Sequence, residues 1–87
     1  MLTSEKLGQF EASIACYDAA LEIKPDYHEA FYNKACCYGL QGYADNAIQA
    51  WQAAIALDSK YRNMAKTDAD FDPIRTDERF QALLAGE

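Results

Sequence analysis

Ala30-Phe31-Tyr32-Asn33-Lys34-Ala35-Cys36-Cys37-Tyr38-Gly39-Leu40-Gln41-Gly42-Tyr43-Ala44-Asp45-Asn46-Ala47-Ile48, continuing to Trp51, Ala54 and Leu57, is the stretch whose reading decides the fold. Before Gly42, the apolar residues Ala30, Phe31, Ala35, Tyr38 and Leu40 recur at helical spacing. After it, Ala47, Ile48, Trp51, Ala54 and Ile55 do the same, so each half presents one apolar face. Gly42 stands between the halves, where a residue without a Cβ closes a helix in the left-handed conformation. The stretch therefore predicts two helices folded back on each other, with large and small side chains alternating as interlocking helices require.

Working outward, the pattern repeats. Gly8, Ile14, Tyr17, Ala19, Ala20, Leu21, Ile23 and Tyr27 return thirty-four residues later as Gly42, Ile48, Trp51, Ala53, Ala54, Ile55, Leu57 and Tyr61. A period of this length marks hairpins that stack because none can bury its apolar face alone. Upstream, a helix is predicted over 9–23, with Phe10, Ile14, Tyr17, Ala20 and Leu21 on one face and Pro25 ending it. Asp26 followed by Glu29 forms a capping-box pattern that starts the next helix near Tyr27. The third helix is expected from about Tyr43 to Leu57, and the Asp58-Ser59 pair is placed to cap the segment after it.

Beyond Tyr61 the echo fades. A short helix over 61–69 gives way to Asp70-Phe71-Asp72-Pro73-Ile74-Arg75, where Pro73 bars continuation. A last amphipathic helix is predicted over 77–85. It has Thr76 as N-cap, Asp77 and Glu78 in its first turn and Phe80, Leu83 and Leu84 inward, which is the form of a terminal cap. The expected class is all-α: one domain over 1–87, with a partial first repeat at 1–25, a full second repeat at 26–59, and a degenerate third unit with its capping helix at 60–87. A chain of 87 residues is near the lower limit for a self-sufficient core.

Composition narrows the function. The net charge is −6 and the eight Lys and Arg residues are scattered, whereas neutralising phosphates requires them clustered, so nucleic acid is excluded as a partner class. No apolar run reaches the roughly 20 residues that span a bilayer, and the first residues lack the basic start and apolar stretch of a secretion signal. Cys16, Cys36 and Cys37 are odd in number and two are adjacent, which suits free thiols in a reducing compartment and predicts a cytoplasmic protein with no metal and no cofactor.

Three chemical patterns are each incomplete. Asp68, Asp70 and Asp72 are spaced like the start of a calcium loop, but Pro73 replaces the turn glycine and Arg79 stands where the bidentate Glu belongs, so a polar loop anchored by Phe71 and Ile74 is expected. His28 is the only histidine, so no His-based triad or metal pair can form, and it is expected at the surface. Cys36 lies mid-helix without an evident activating cation. No catalytic residue is identified.

In Phe31, Ala35, Tyr38, Gly42, Ala47, Trp51 and Ala54 the chain resembles the tetratricopeptide repeat family. The resemblance implies about two and a half antiparallel helical hairpins stacked as a right-handed superhelical solenoid, and a non-catalytic module that binds a peptide or partner protein. The ending from Asp70 to Leu84 is similar to the closing segment of bacterial arrays of the family. In the family the first helix of each hairpin lines a concave groove. By that geometry Glu29, Tyr32, Asn33, Cys36, Leu40, Asn63, Lys66 and Thr67 are the expected groove residues. The alternative is self-association, a homodimer formed through the face of Phe10, Ile14 and Tyr17 that the truncated first repeat leaves bare.

Overall fold

A computed structural model describes residues 4–86, with side chains from Gly8 onward; the first three residues of the expected partial repeat lie outside the described residues. In chain order it contains α1 (Ser4–Ile23), α2 (His28–Gln41), α3 (Ala44–Leu57), α4 (Lys60–Thr67), a 3₁₀ segment (Ala69–Ile74) and α5 (Glu78–Leu84). Adjacent helices pack on one another: α2 lies between α1 and α3, the 3₁₀ segment lies against α2, and α5 closes on α3 and α4. The architecture is an all-α repeat solenoid.

The hairpin of α2 and α3 forms as its sequence dictates. Gly42 adopts φ 78°, and its N–H and that of Tyr43 bond back to the carbonyls of Gly39 and Tyr38, satisfying groups the end of α2 would otherwise leave orphaned. Ala47, Ile48, Ala50, Trp51 and Ala54 of α3 share one buried cluster with Tyr32, Ala35 and Cys36 of α2.

The core is completed from the C-terminal side. Phe71 and Phe80 are fully buried beside Trp51, with ring centroids 5.9 and 4.8 Å from it and 5.5 Å from each other. Each buried large side chain contributes about 1.5–3 kcal/mol by removal from water. Trp51 also donates its Nε1–H to the Tyr61 carbonyl at 2.8 Å, which ties α3 to the first turn of α4. A Cβ on Gly39 would stand 2.7 Å from the Asp70 carbonyl oxygen, so that glycine is what lets the 3₁₀ segment approach α2.

Several local expectations are corrected. Asp26 does not cap α2: Tyr27 is the N-cap, without a side-chain bond, and the Ala30 and Phe31 N–H groups bond to its carbonyl. The helix starts late enough to leave Asp26 in the preceding turn. The last helix is capped by Asp77 rather than Thr76, the Asp77 carboxylate accepting from the Arg79 N–H at 2.9 Å. α4 ends at Thr67 and no α-helix runs through Pro73, but the expected loop is instead a 3₁₀ segment, Ala69–Ile74, whose tighter geometry takes the proline in. Before α4 it is Asp58 whose carboxylate accepts a backbone N–H, that of Lys60 at 3.1 Å, while Ser59 makes no side-chain cap bond.

The first repeat differs most from its echo. Gly8 lies within α1, while its counterpart Gly42 is a turn. Ser13, Ile14, Tyr17 and Ala20 are only half-buried and Cys16 is exposed, whereas their counterparts Ala47, Ile48, Trp51, Ala54 and Ala50 are all buried in the second repeat. Most of these side chains are close in size and character; the larger difference is that α3 has its hairpin partner in α2, whereas among the described residues α1 packs chiefly on α2.

Candidate functional site

Between α2 and α4, on the side lined by the first helix of each hairpin, lies a cleft of about 340 Å³. Glu29, Tyr32 and Asn33 form one wall and Lys60, Tyr61 and Met64 the other. Helical spacing produces both walls. Residues 29 and 33 are one turn apart on α2, residues 60 and 64 one turn apart on α4, and Tyr32 and Tyr61 turn inward beside them.

Tyr32 and Tyr61 close the floor. Their rings stack with centroids 4.8 Å apart, and Tyr32 also meets Phe71 at 5.7 Å. Both hydroxyls are engaged beneath the cleft. Tyr32 donates to the Asp68 carboxylate at 2.6 Å, and the Tyr61 hydroxyl and His28 Nδ1 share a 2.6 Å hydrogen bond. His28, expected at the surface, is therefore half-buried and structural. With both rings almost wholly buried, a ligand in the cleft meets the 44% exposed Met64 rather than free phenols.

Asp68 organises the floor further. Besides the Tyr32 hydroxyl, its carboxylate accepts the Asp70 N–H at 3.0 Å, capping the 3₁₀ segment, and the Cys36 thiol points at it from 3.8 Å. The ligating atoms of Cys36, Asp68 and Asp70 all lie within 4.8 Å of one another. Burial, then the charges of Asp68 and Asp70, push the Cys36 thiol well above its usual range, away from the thiolate that metal binding or nucleophilic chemistry requires. Burial and then Asp68 likewise raise Asp70. Burial, then the bond to Asp68, raises Tyr32. These groups form a hydrogen-bonded corner holding three elements together.

The expected groove residues are distributed unevenly. Glu29, Tyr32 and Asn33 meet in the cleft; Cys36 is buried behind it and Leu40 is part-exposed at the far end of α2. Asn63 and Thr67 are exposed on the flank of α4 that carries Lys60 and Met64, while helical spacing turns Lys66 to the outer flank. Lys60, Tyr61 and Met64 carry no groove signature in the sequence. Tyr61 is visible there as the echo of Tyr27, but only the observed start of α4 at Lys60 sets which flank it shows.

Two family models match the chain: a TPR repeat over residues 6–42 and a tetratricopeptide repeat over residues 28–61. Through residues 6–61 the chain belongs to the tetratricopeptide repeat family. No curated protein and no solved structure matches it significantly. Repeats of this family generally mediate protein–protein interaction, and no helix among the described residues is long and apolar enough to cross a membrane.

Proposed function

We propose that the protein is a non-catalytic interaction module that holds a peptide or an extended segment of a partner protein in the cleft between α2 and α4. The observation that carries this reading is the pairing of unengaged polar groups with an internally satisfied floor. Glu29 and Asn33 are exposed and make no ion pair or side-chain hydrogen bond among the described residues, while both tyrosine hydroxyls are held below. Asn33 can donate to and accept from a peptide backbone, and flexible Met64 adapts to an apolar side chain. The groove would extend toward Leu40, Asn63 and Thr67, leaving Lys66 on the outer flank, with α5 as the closing cap of a bacterial-type array. Three free cysteines, one of them buried, fit a reducing compartment such as the cytoplasm. Selection of a displayed random-peptide library on the protein tests the reading: enriched peptides are expected to lose binding to the Asn33→Ala/Met64→Ala variant, and retention by that variant would refute it.

A second reading is supported by α1. Its half-exposed face and the cleft of about 450 Å³ lined by Glu11, Ile14, Ala15 and Asp18 with Tyr38, Gln41 and Tyr43 offer a place for a second copy. Light scattering across a dilution series decides this: a stable dimer supports it and a folded monomer throughout rejects it.

A further inference from the structure

Building on the groove reading, we propose that the occupant of the α2–α4 cleft is a basic peptide segment in which a Lys or Arg adjoins an apolar side chain. Its cation is held by Glu29 and its apolar group lies against Met64.

The charges around the cleft select this occupant. Lys60 is the one cation among the residues lining it, and it is already committed: its ammonium is 3.7 Å from the Asp58 carboxylate and 5.2 Å from the centre of the Tyr61 ring. Glu29, on the opposite wall, has no such partner among the described residues. Asp58 at one end, and Asp68 and Asp70 behind the floor, add negative charge, while the Arg75 guanidinium is turned to Asp72 and to the backbone carbonyls of residues 65, 66 and 68.

The same charges act on the buried groups nearby. Tyr61 is raised by burial and then by Glu29 and Asp58, and Cys36 by burial and then by Asp68 and Asp70, so the α4 wall and the region behind the cleft both feel excess negative charge. An acidic segment would meet this field with no free cation. A basic one is drawn to it, and the chain's net charge of −6 steers the approach. The apolar requirement comes from Met64, the exposed large apolar side chain of the cleft.

The test uses short acetylated, amidated peptide pools with Arg, Gln or Glu fixed beside a Leu, titrated into isotope-labelled protein while backbone amide shifts are followed. The Arg pool is expected to move the Glu29, Asn33, Lys60 and Met64 amides at about two- to fivefold lower concentration than the Gln pool, in the range of a single rim charge pair. Glu29→Gln should erase that preference, and Glu29→Lys should hand it to the Glu pool. Both substitutions are at an exposed position, and the buried Trp51 indole resonance verifies the fold of each variant. If the Glu pool binds the cleft as well as the Arg pool, the basic occupant is overturned while the groove reading stands. If no pool perturbs the cleft, or shifts fall only on other surfaces, both are overturned.

Discussion

Tyr32 and Asp68, thirty-six positions apart in the chain, are joined by a 2.6 Å hydrogen bond from the phenol to the carboxylate. The bond fixes the middle of α2 to the junction of α4 with the 3₁₀ segment, directly under the cleft. Tyr32→Phe keeps the ring stack and removes only this donor. It is expected to cost about 1–3 kcal/mol, the range for a hydrogen bond to a charged group in a part-buried setting, read as a lower urea midpoint at unchanged slope.

Arg75 has a comparable role at the end of α4. Its guanidinium donates to the Ala65 carbonyl at 3.1 Å, the Lys66 carbonyl at 3.2 Å and the Asp68 carbonyl at 2.5 Å, and its Nε–H to the Asp72 carboxylate at 2.7 Å. It thus supplies donors to carbonyls that the C-terminus of α4 leaves unpaired. Arg75→Ala should destabilise by about 2–3 kcal/mol in chemical denaturation, and Arg75→Lys should recover only a minor part, since an ammonium cannot span a planar set of acceptors.

Two glycines that echo each other should respond oppositely to alanine. Gly8→Ala places a Cβ in open space within a helix and should stabilise by up to about 1 kcal/mol. Gly42→Ala forces a side chain onto φ 78° and should destabilise by about 1–2 kcal/mol. Gly39→Ala should be worse than either, because the new Cβ meets backbone at 2.7 Å. Thermal melts of the three variants rank them.

Stability should decline on the alkaline side. Cys36 and Tyr32 hold their protons more tightly folded than unfolded, so the native state binds more protons once the unfolded thiol titrates near its ordinary 9.0 and the phenol near 10.0. The slope of unfolding free energy with pH is then negative. No loss from these groups is expected below about pH 8, and a progressive loss sets in above about pH 9; Cys36→Ala should flatten the earlier part of that decline. On the acid side Asp77, held by its bonds with Arg79 at about 2 against an ordinary 3.8, contributes stability that fades as pH falls from about 4 toward 2. Asp77→Asn should remove that limb.

The central hairpin was legible in the sequence because every local signal agreed there: apolar period, Gly42, and the alternation of Trp51 with Ala47 and Ala54. The cleft was half legible. Glu29, Tyr32 and Asn33 come from α2, whose register the repeat sets, but Lys60 and Met64 depend on where the short α4 begins. The Tyr32–Asp68 and His28–Tyr61 bonds join residues more than thirty positions apart, and no pattern of spacing encodes such pairings. The caps failed for a related reason: Asp26 and Thr76 had capping chemistry, but turn geometry delivered Tyr27 and Asp77 to those places.

The aromatic set that surrounds Trp51 bears on how this chain can be cut and recombined. Repeat arrays invite excision at unit boundaries, yet here Phe71 and Phe80, beyond the end of both family matches, fill the interior of the hairpin before them. A fragment ending at residue 59 would expose Trp51 to water, and a foreign third unit would need to bring two phenylalanines to the same spots. The smallest transferable piece therefore runs from His28 through Leu84, and α1, alone among the described helices, could be exchanged without rebuilding what lies inside.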